Sequence, residues 1–212
     1  RLAGREDLHV TALPEEKRKD AAARAAALNA ADVAILCLPD AAAREAVGWI
    51  RDPDPVVLDT STAHRTAPGW AYGFPELSAA HAQAVRTAKR IAVPGCHASG
   101  FIALTAPLAA AGIIPAGTQL SCFSLTGYSG GGKSMIGQYT AQPRPEGLHA
   151  PRQYALGQTH KHLPEMAAQS GLPAPLFCPV VGDYYSGMQV TVPLSAAQCA
   201  PGTTPEVIAE VY

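Results

Sequence analysis

Short apolar segments, each followed by a polar turn, constrain the fold of this chain more than any other feature. Residues 32–38 (DVAILCL) are apolar almost throughout, end at Pro39, and precede a helical pattern over residues 41–50. Residues 55–59 (PVVLD) repeat the apolar segment with a polar carboxyl end. A strand that is apolar on both faces and leads into a helix is typical of a buried parallel sheet. The first part of the chain is therefore predicted to be a doubly wound α/β domain.

The pattern of apolar and polar residues changes after about residue 90, where alternating strands and longer loops replace the strand–helix repeat. These strands have an antiparallel character, which predicts a second domain of α+β type. We expect the boundary near residues 86–92 and divide the chain into domains 1–90 and 91–212. Helices are predicted at residues 20–29, 41–50 and 99–111, and strands at residues 32–38, 55–59, 91–95, 120–126, 177–181 and 187–193.

Composition excludes several classes of function. The 16 basic and 17 acidic residues give a net charge of -1, which favours neither nucleic acid nor an anionic membrane as a partner. No apolar run reaches the length of a membrane span. Five scattered cysteines without paired spacing predict neither a disulfide framework nor a structural zinc site, and favour a cytoplasmic location. Because the chain begins with Arg1 and ends within a helical pattern at residues 205–212, we expect it to be a piece of a longer protein.

Cys96 is the first candidate for chemistry. It follows Pro94 and Gly95 at the end of a predicted strand, and a helix is predicted to begin at or just after it. Backbone N–H groups at a helix N-terminus favour a thiolate and can hold an oxyanion on a carbon that the sulfur attacks. The alternative is a small buried core residue, since free cysteines are commonly buried.

Two histidines form the second candidate. His160 and His162 are two residues apart, so an extended segment would place both on one face. One could act as a general acid and base for a thiol nucleophile while the other orients it. Metal ligation and two solvated side chains are the alternatives, and no third metal ligand is evident.

Residues 127–133 (GYSGGGK) form a glycine-rich segment after a predicted strand. Glycines let backbone amides approach a phosphate, and Lys133 adds a positive charge. The segment matches the pattern of an ATP-binding phosphate loop, but no acidic magnesium-binding strand follows, so we reject an ATPase. A flexible loop without a ligand is the alternative. In parallel sheets ligands lie beyond the carboxyl ends of strands, where Arg65 could bind a phosphate or carboxylate. Taken alone, this residue is more simply interpreted as a surface arginine.

Together these motifs resemble one family. Pro94-Gly95-Cys96, the segment 126–133 and residues 160–165 (HKHLPE) occur in the order found in the N-acetyl-γ-glutamyl-phosphate reductases, and residues 58–65 and 70–76 resemble the shorter of the two types. The resemblance covers nearly the whole chain. It implies a Rossmann-like nucleotide domain, here without its first strand and glycine loop, and an α+β catalytic domain like that of glyceraldehyde-phosphate dehydrogenase.

The resemblance also implies roles for particular residues. The implied catalytic residues are Cys96, His162 and His160, with a slight preference for His162 as the acid and base because Pro164 and Glu165 could fix it. The implied residues for substrate or phosphate are Arg65, Ser99 and Lys133. The implied cofactor contacts are Pro39, Ser61, Ser129, Gly130 and Gly131. No metal is expected. The family commonly has Asn and Tyr on either side of Pro-Gly-Cys, where this chain has Val93 and His97.

The implied reaction is the NADPH-dependent reduction of N-acetyl-γ-glutamyl phosphate to the semialdehyde through a thioester on Cys96, in arginine biosynthesis. We also expect a homo-oligomer, a dimer or tetramer, and a small-molecule substrate rather than nucleic acid or membrane. An aspartyl-phosphate reductase and a non-catalytic binding fragment remain as alternatives. The residues near positions 9–14 show no clear selector between NADPH and NADH.

Overall fold

A computed structural model describes residues 4–51 and 55–212. The chain divides into an N-terminal unit, Arg1–Gly73 with Gln83–Val93, and a C-terminal unit, Phe74–Ala82 with Pro94–Tyr212. The predicted boundary at residues 86–92 lies directly before the division between Val93 and Pro94. None of the helices in the described ranges combines the length and apolar character that a membrane span requires.

The N-terminal unit alternates helices and strands, as its sequence predicts. Its elements are α1 (Ala21–Asn29), β1 (Val33–Leu36), α2 (Asp40–Gly48), β2 (Val56–Asp59), β3 (Ala71–Tyr72) and β4 (Arg90–Ala92), with α3 (Ala79–Thr87) crossing the division before β4. Asp20 caps α1 by accepting hydrogen bonds from the amides of Ala22 and Ala23. The helix predicted at residues 20–29 therefore begins one residue later, at Ala21, because Asp20 is its N-cap.

The four strands of this unit form a parallel sheet in the order β1-β2-β4-β3. The α/β class with a parallel sheet is thus confirmed. Leu36, Ala46 and Val57 are buried between this sheet and α2. β1 differs from its prediction, because it lies at the sheet's edge and the side chains of Val33 and Ile35 are about half exposed. Apolar composition predicted two buried faces, but β1 has one.

The C-terminal unit contains the longer elements. These are α4 (Cys96–Ala110), β5 (Ser121–Gly127), α5 (Gly132–Thr140), β6 (Arg152–Gln153), α6 (Leu163–Ser170), β7 (Leu176–Gly182), β8 (Met188–Thr191) and α7 (Pro205–Ala209). The sheet order is β6-β7-β5-β8. The antiparallel prediction is wrong for the central pair, because β5 and β7 run parallel while β8 and β6 pair antiparallel with them. α6 lies between β6 and β7 in the sequence, and this helix was not predicted.

The two faces of this second sheet differ in burial. On β5, Cys122, Ser124 and Thr126 are buried, whereas Phe123 between them is 50% exposed. Because side chains alternate along a strand and paired residues share a side, the other face carries an apolar surface. We call it the open face and define it by Phe123, Leu125, Leu176, Cys178 and Val180.

Gly127 is required where β5 ends. A Cβ at this position would lie 2.8 Å from backbone atoms of residues 184, 185 and 186. The carbonyls of Tyr184 and Tyr185 accept hydrogen bonds from the amides of Tyr128 and Ser129 in the turn after β5. Backbone atoms cannot give way as a flexible side chain can. The glycine therefore allows two backbone segments to approach each other within the protein.

We predict that Gly127→Ala lowers the free energy of unfolding by about 2 kcal/mol or more, because the added methyl group collides with backbone. Gly137→Ala is the matched control. Gly137 lies within α5, and a Cβ there meets nothing within 4 Å. That substitution should raise the free energy of unfolding by about 0.5–1 kcal/mol. Urea denaturation measures both, and equal stability of the two variants would contradict the packing described.

Candidate active site

Cys96 is the first residue of α4. Gly95 forms the N-cap with extended backbone angles, and the Cys96 side chain is exposed. The Pro94-Gly95 dipeptide separates β4 from α4, so the thiol is placed at the helix end where backbone N–H groups are unpaired. The core-residue alternative is wrong, because a packed core thiol would be buried. By contrast, Cys122 is buried, and burial together with Cys178 raises its pKa to about 12.

A buried carboxyl group holds the turn before Cys96. Glu165 of α6 is 1% exposed, and its Oε2 accepts a hydrogen bond from the Gly95 amide at 3.0 Å. This bond links the start of α4 to the first turn of α6. The sequence predicts that Glu165 helps to fix His162 in place. Its contact with Gly95 shows that it also positions the chain beside the thiol.

His160 and His162 come together, but not on an extended segment. Residues 161 and 162 form a turn that leads into α6, and His162 has a helical conformation as its N-cap. The ring centroids are nevertheless 4.6 Å apart, in edge-to-face contact. The prediction of a shared face on a strand is wrong, because a turn rather than strand alternation brings the rings together. His162 is buried, and His160 is partly exposed.

The turn fixes the protonation of His160. Its Nδ1 accepts a hydrogen bond from the His162 backbone amide at 3.1 Å. Since a backbone amide can only donate, Nδ1 carries no proton, and the neutral ring carries its proton on Nε2. Burial first and the charge of Lys161 second lower the pKa of His160. His160 is therefore a neutral imidazole at neutral pH with its N–H on the nitrogen remote from the turn.

His97 lies at the centre of the cluster around the thiol. Its Nδ1 is 2.6 Å from Ser124 Oγ, and its Nε2 is 2.8 Å from Tyr154 Oη. Its ring centroid is 5.5 Å from those of both His160 and His162. Burial first and His160 second lower the pKa of His97 to about 4. His97, the residue next to Cys96, thus contacts both of the paired histidines.

Tyr154 extends this cluster. Burial first and the charge of Cys96 second raise the pKa of Tyr154 to about 12. The phenol therefore keeps its proton at any pH at which such an enzyme works. The sequence analysis missed Ser124 and Tyr154, which carry no motif. It named His97 only as a departure next to the cysteine.

The other predicted residues of this unit lie around the turn after β5. The amides of Tyr128 and Ser129 donate to the carbonyls of Tyr184 and Tyr185, each at 2.9 Å, so these two amides are used within the protein. Gly130, Gly131 and Lys133 are exposed at the start of α5. Ser99 donates through its hydroxyl to the Gly95 carbonyl at 3.0 Å. The predicted phosphate and cofactor contacts of these residues stay predictions.

In the N-terminal unit, Arg65 joins the carboxyl ends of two strands. Its guanidinium donates to the Val93 carbonyl at 2.9 Å and to the Thr60 carbonyl at 3.1 Å, and the side chain is buried. This geometry gives Arg65 a role in holding the loop together. Binding of a substrate phosphate by Arg65 stays a prediction.

A buried carboxylate organises the same loop. Asp59 accepts from the amide and hydroxyl of Ser61, at 2.9 and 2.7 Å, and lies 2.6 Å from His64 Nδ1. The Ser61 hydroxyl also accepts from the Ala63 amide at 3.1 Å, so it is committed within the loop. Pro39, in contrast, is exposed as the N-cap of α2. The cofactor contacts predicted for Pro39 and Ser61 stay predictions.

Metal ligation at the paired histidines gains no support. Within residues 4–51 and 55–212, no group of three or more histidine, cysteine, aspartate or glutamate side chains is arranged to hold a metal ion. The C-terminal unit instead combines an exposed thiol at a helix start, a neutral imidazole with a fixed tautomer, and a neutral phenol. Such groups suit acyl chemistry on a sulfur nucleophile.

Comparisons with known proteins identify the class of protein to which the chain belongs. Residues 5–85 match the family model described as "Semialdehyde dehydrogenase, NAD binding domain", and residues 96–212 match "Semialdehyde dehydrogenase, dimerisation domain". The solved aspartate semialdehyde dehydrogenase II of Vibrio cholerae is similar, with a TM-score of 0.59 and 15% identity over 78% of this chain and 56% of that one. The enzyme of Francisella tularensis gives a TM-score of 0.61 and 12% identity over 88% and 64%. The chain is therefore built from semialdehyde dehydrogenase domains.

Curated relatives narrow this class. The N-acetyl-gamma-glutamyl-phosphate reductase of Rhizobium meliloti is 48% identical over 98% of this chain and 68% of its own length. That of Burkholderia lata is 47% identical over 97% of this chain and 65% of its own length. The chain belongs to the N-acetyl-gamma-glutamyl-phosphate reductase family, which confirms the resemblance found in its motifs. It spans about two thirds of the length of these relatives.

We predict that Cys96 reacts faster than any other thiol of the chain. Iodoacetamide at pH 7, followed by peptide mapping, should label Cys96 about tenfold faster than Cys37, because a helix N-terminus favours the thiolate. Cys37 is the matched comparison, since it is also exposed but follows a strand. Cys122 should stay unlabelled in the folded protein. Equal rates for Cys96 and Cys37 would show that exposure alone controls reactivity.

Proposed function

We propose that the protein containing this chain reduces N-acetyl-γ-glutamyl phosphate to N-acetylglutamate semialdehyde and releases phosphate, as a step of arginine biosynthesis in the cytoplasm. The observation that carries the proposal is the exposed Cys96 thiol at the start of α4, where the next residue, His97, contacts both of the paired histidines. The names of the relatives and their identities support the choice of substrate.

The Cys96 thiolate makes the first bond. It attacks the γ-carbonyl carbon of the acyl phosphate, the bond from that carbon to the phosphate oxygen breaks, and phosphate leaves with the electron pair. The product is a thioester on Cys96. Backbone amides at the start of α4 are suited to stabilise the negative charge that develops on the carbonyl oxygen.

NADPH, when bound, supplies the hydride that reduces the thioester. The carboxyl ends of β1, β2 and β4 are where a parallel sheet holds a nucleotide. Pro39 follows β1 and is exposed as the N-cap of α2, so it lies at this edge of the sheet and can contact the cofactor. The loop after β2 is ordered by hydrogen bonds to the Asp59 carboxylate, which hold its residues at this edge of the sheet.

His160 serves the oxygen of the reduced intermediate. Its Nε2 proton is fixed by the bond that Nδ1 accepts, so the ring can donate a hydrogen bond to the thiohemiacetal oxygen as negative charge appears. When this oxyanion re-forms the carbonyl, the carbon–sulfur bond breaks, the Cys96 thiolate is restored, and the proton stays on His160. The sequence slightly preferred His162. We assign this hydrogen bond to His160 because it is the more exposed ring and His162 is buried.

We predict that Cys96→Ser lowers kcat at least about 10³-fold, because an alcohol is a much poorer nucleophile at neutral pH. Cys199→Ser, which alters a partly buried thiol of the same unit, is the control and should keep its activity. Assays with both N-acetyl-γ-glutamyl phosphate and aspartyl phosphate identify the substrate. Turnover of neither would favour a non-catalytic binding protein.

The same assays separate the histidines. His160→Gln should lower kcat about 10²-fold with little change in KM, as expected for the loss of a hydrogen bond that strengthens in the transition state. His162→Gln should act mainly through KM or stability, because the ring is buried. The reverse pattern would assign the hydrogen bond to His162.

We further propose that the protein self-associates through the open face. The family model for residues 96–212 is named a dimerisation domain. The open face is a continuous apolar surface of β5 and β7, with Phe123 and Leu176 both about half exposed. A second copy that packed against it would remove this apolar area from water.

We predict that Phe123→Asp weakens self-association at least about tenfold, because a charge in an apolar interface costs more than the 1.4 kcal/mol to which that factor corresponds. Leu156→Asp is the control, since Leu156 is 71% exposed and lies outside the open face. Sedimentation velocity over a range of concentrations measures the change. An unaltered association of Phe123→Asp would exclude the open face as the interface.

A further inference from the structure

The His97 ring forms hydrogen bonds with two hydroxyl groups. It is 3% exposed, and its two ring nitrogens face Ser124 Oγ and Tyr154 Oη at 2.6 and 2.8 Å. Burial keeps the pKa of His97 at about 4, so the ring is neutral at neutral pH. A neutral imidazole donates through one nitrogen and accepts through the other. The hydrogen bonds from one hydroxyl to the other must therefore run in one direction.

Ser124 decides that direction. It is buried on β5, and among the described residues the partner of its hydroxyl is His97. If Nδ1 carried the proton, the Ser124 hydrogen would have no acceptor there. A buried donor without an acceptor costs about 1–3 kcal/mol. Ser124 therefore donates to Nδ1, and Nε2–H donates to the Tyr154 oxygen.

Tyr154 is the end of this series. Its oxygen accepts from His97, so its own hydrogen remains to be donated to another group. Tyr154 Oη lies 2.8 Å from Nε2 of His97, the residue that follows Cys96, so the hydroxyl lies near the start of α4. The charge of Cys96 also contributes to the raised pKa of Tyr154. The ring centroid of Tyr154 is 5.8 Å from that of His160.

We propose that Ser124, His97 and Tyr154 form a directional hydrogen-bond chain that presents the Tyr154 hydroxyl as a donor to the group that reacts at Cys96. His97 is the positioning residue of this chain, and its proton stays on Nε2 throughout. Its chemical consequence rests on the proposed function, in which negative charge develops on the carbonyl oxygen when the thiolate attacks. A fixed neutral donor stabilises that charge without giving up its proton.

The aromatic contacts of His97 require a matched substitution. Its ring packs edge-on against His160 and Phe177, with centroids 5.5 and 5.3 Å away. His97→Phe keeps a ring of similar size and removes both hydrogen bonds. His97→Gln keeps an acceptor and a donor but loses the ring. The two variants therefore separate packing from hydrogen bonding.

A double-mutant cycle in the complete natural protein tests the chain. His97→Phe and Tyr154→Phe should each lower kcat about 10²-fold with little change in KM, as expected when an oxyanion donor is lost. The double variant should lose no more than either single variant, because both remove the same donor. His97→Gln should recover part of kcat. Additive losses, or full activity of His97→Phe, would overturn the proposal.

Two readouts do not need activity. In protein labelled with ¹⁵N-histidine, His97 should show a protonated Nε2 and an unprotonated Nδ1 from neutral pH down to about 5, and Ser124→Ala should remove this preference. The pH profile of Cys96 alkylation should change equally in His97→Phe, Tyr154→Phe and the double variant. A proton on Nδ1 would overturn the direction of the chain. If both readouts hold while no acyl phosphate is turned over, the chain stands and the proposed function fails.

Discussion

The hydrogen bond between Glu165 and the Gly95 amide is the constraint on which the active site depends. It joins the first turn of α6 to the residue that caps α4. Cys96 follows one end of this link, and the turn that holds His160 and His162 lies three residues before the other. Because the carboxyl group is buried, its loss would leave a buried amide without a partner, which costs about 1–3 kcal/mol. One contact thereby links the segment that carries the thiol to the segment that carries the two histidines.

Burial gives each group of the site its protonation state. His97 is neutral because burial disfavours its charged form, and Tyr154 keeps its proton for the same reason. His160 obtains its tautomer from a backbone amide rather than from another side chain. Among these groups the thiol is exposed, at the start of α4. The site therefore combines an exposed thiol with neutral donors behind it.

Local patterns in the sequence predicted elements that local forces determine. The capping Asp20, the apolar strands β1 and β2, and the Pro-Gly turn before Cys96 all act within a few residues, and the structure confirms the helices and strands that they indicate. The parallel pairing of β5 with β7 depends on residues more than fifty positions apart, so no local signal could show it. The half-exposed face of β1 likewise follows from its position at the sheet edge.

The candidate site shows the same division. Cys96, His160 and His162 were found because motifs carry them, although a turn and not a strand brings the two rings together. Ser124 and Tyr154 were missed because their importance comes from contacts with His97 across the fold. Gly127 had suggested a phosphate loop. The structure shows that its missing side chain makes room for protein backbone.

The most direct test of this account is to trap the acyl-enzyme. The complete protein would be incubated with N-acetyl-γ-glutamyl phosphate without reductant, quenched in acid and digested, and its peptides weighed by mass spectrometry. The account predicts that the peptide containing Cys96 gains one N-acetylglutamyl group, that hydroxylamine removes this group, and that about one phosphate is released for each adduct. An adduct on a different residue, or phosphate release with no adduct in a single turnover, would contradict the assignment of Cys96 as the nucleophile.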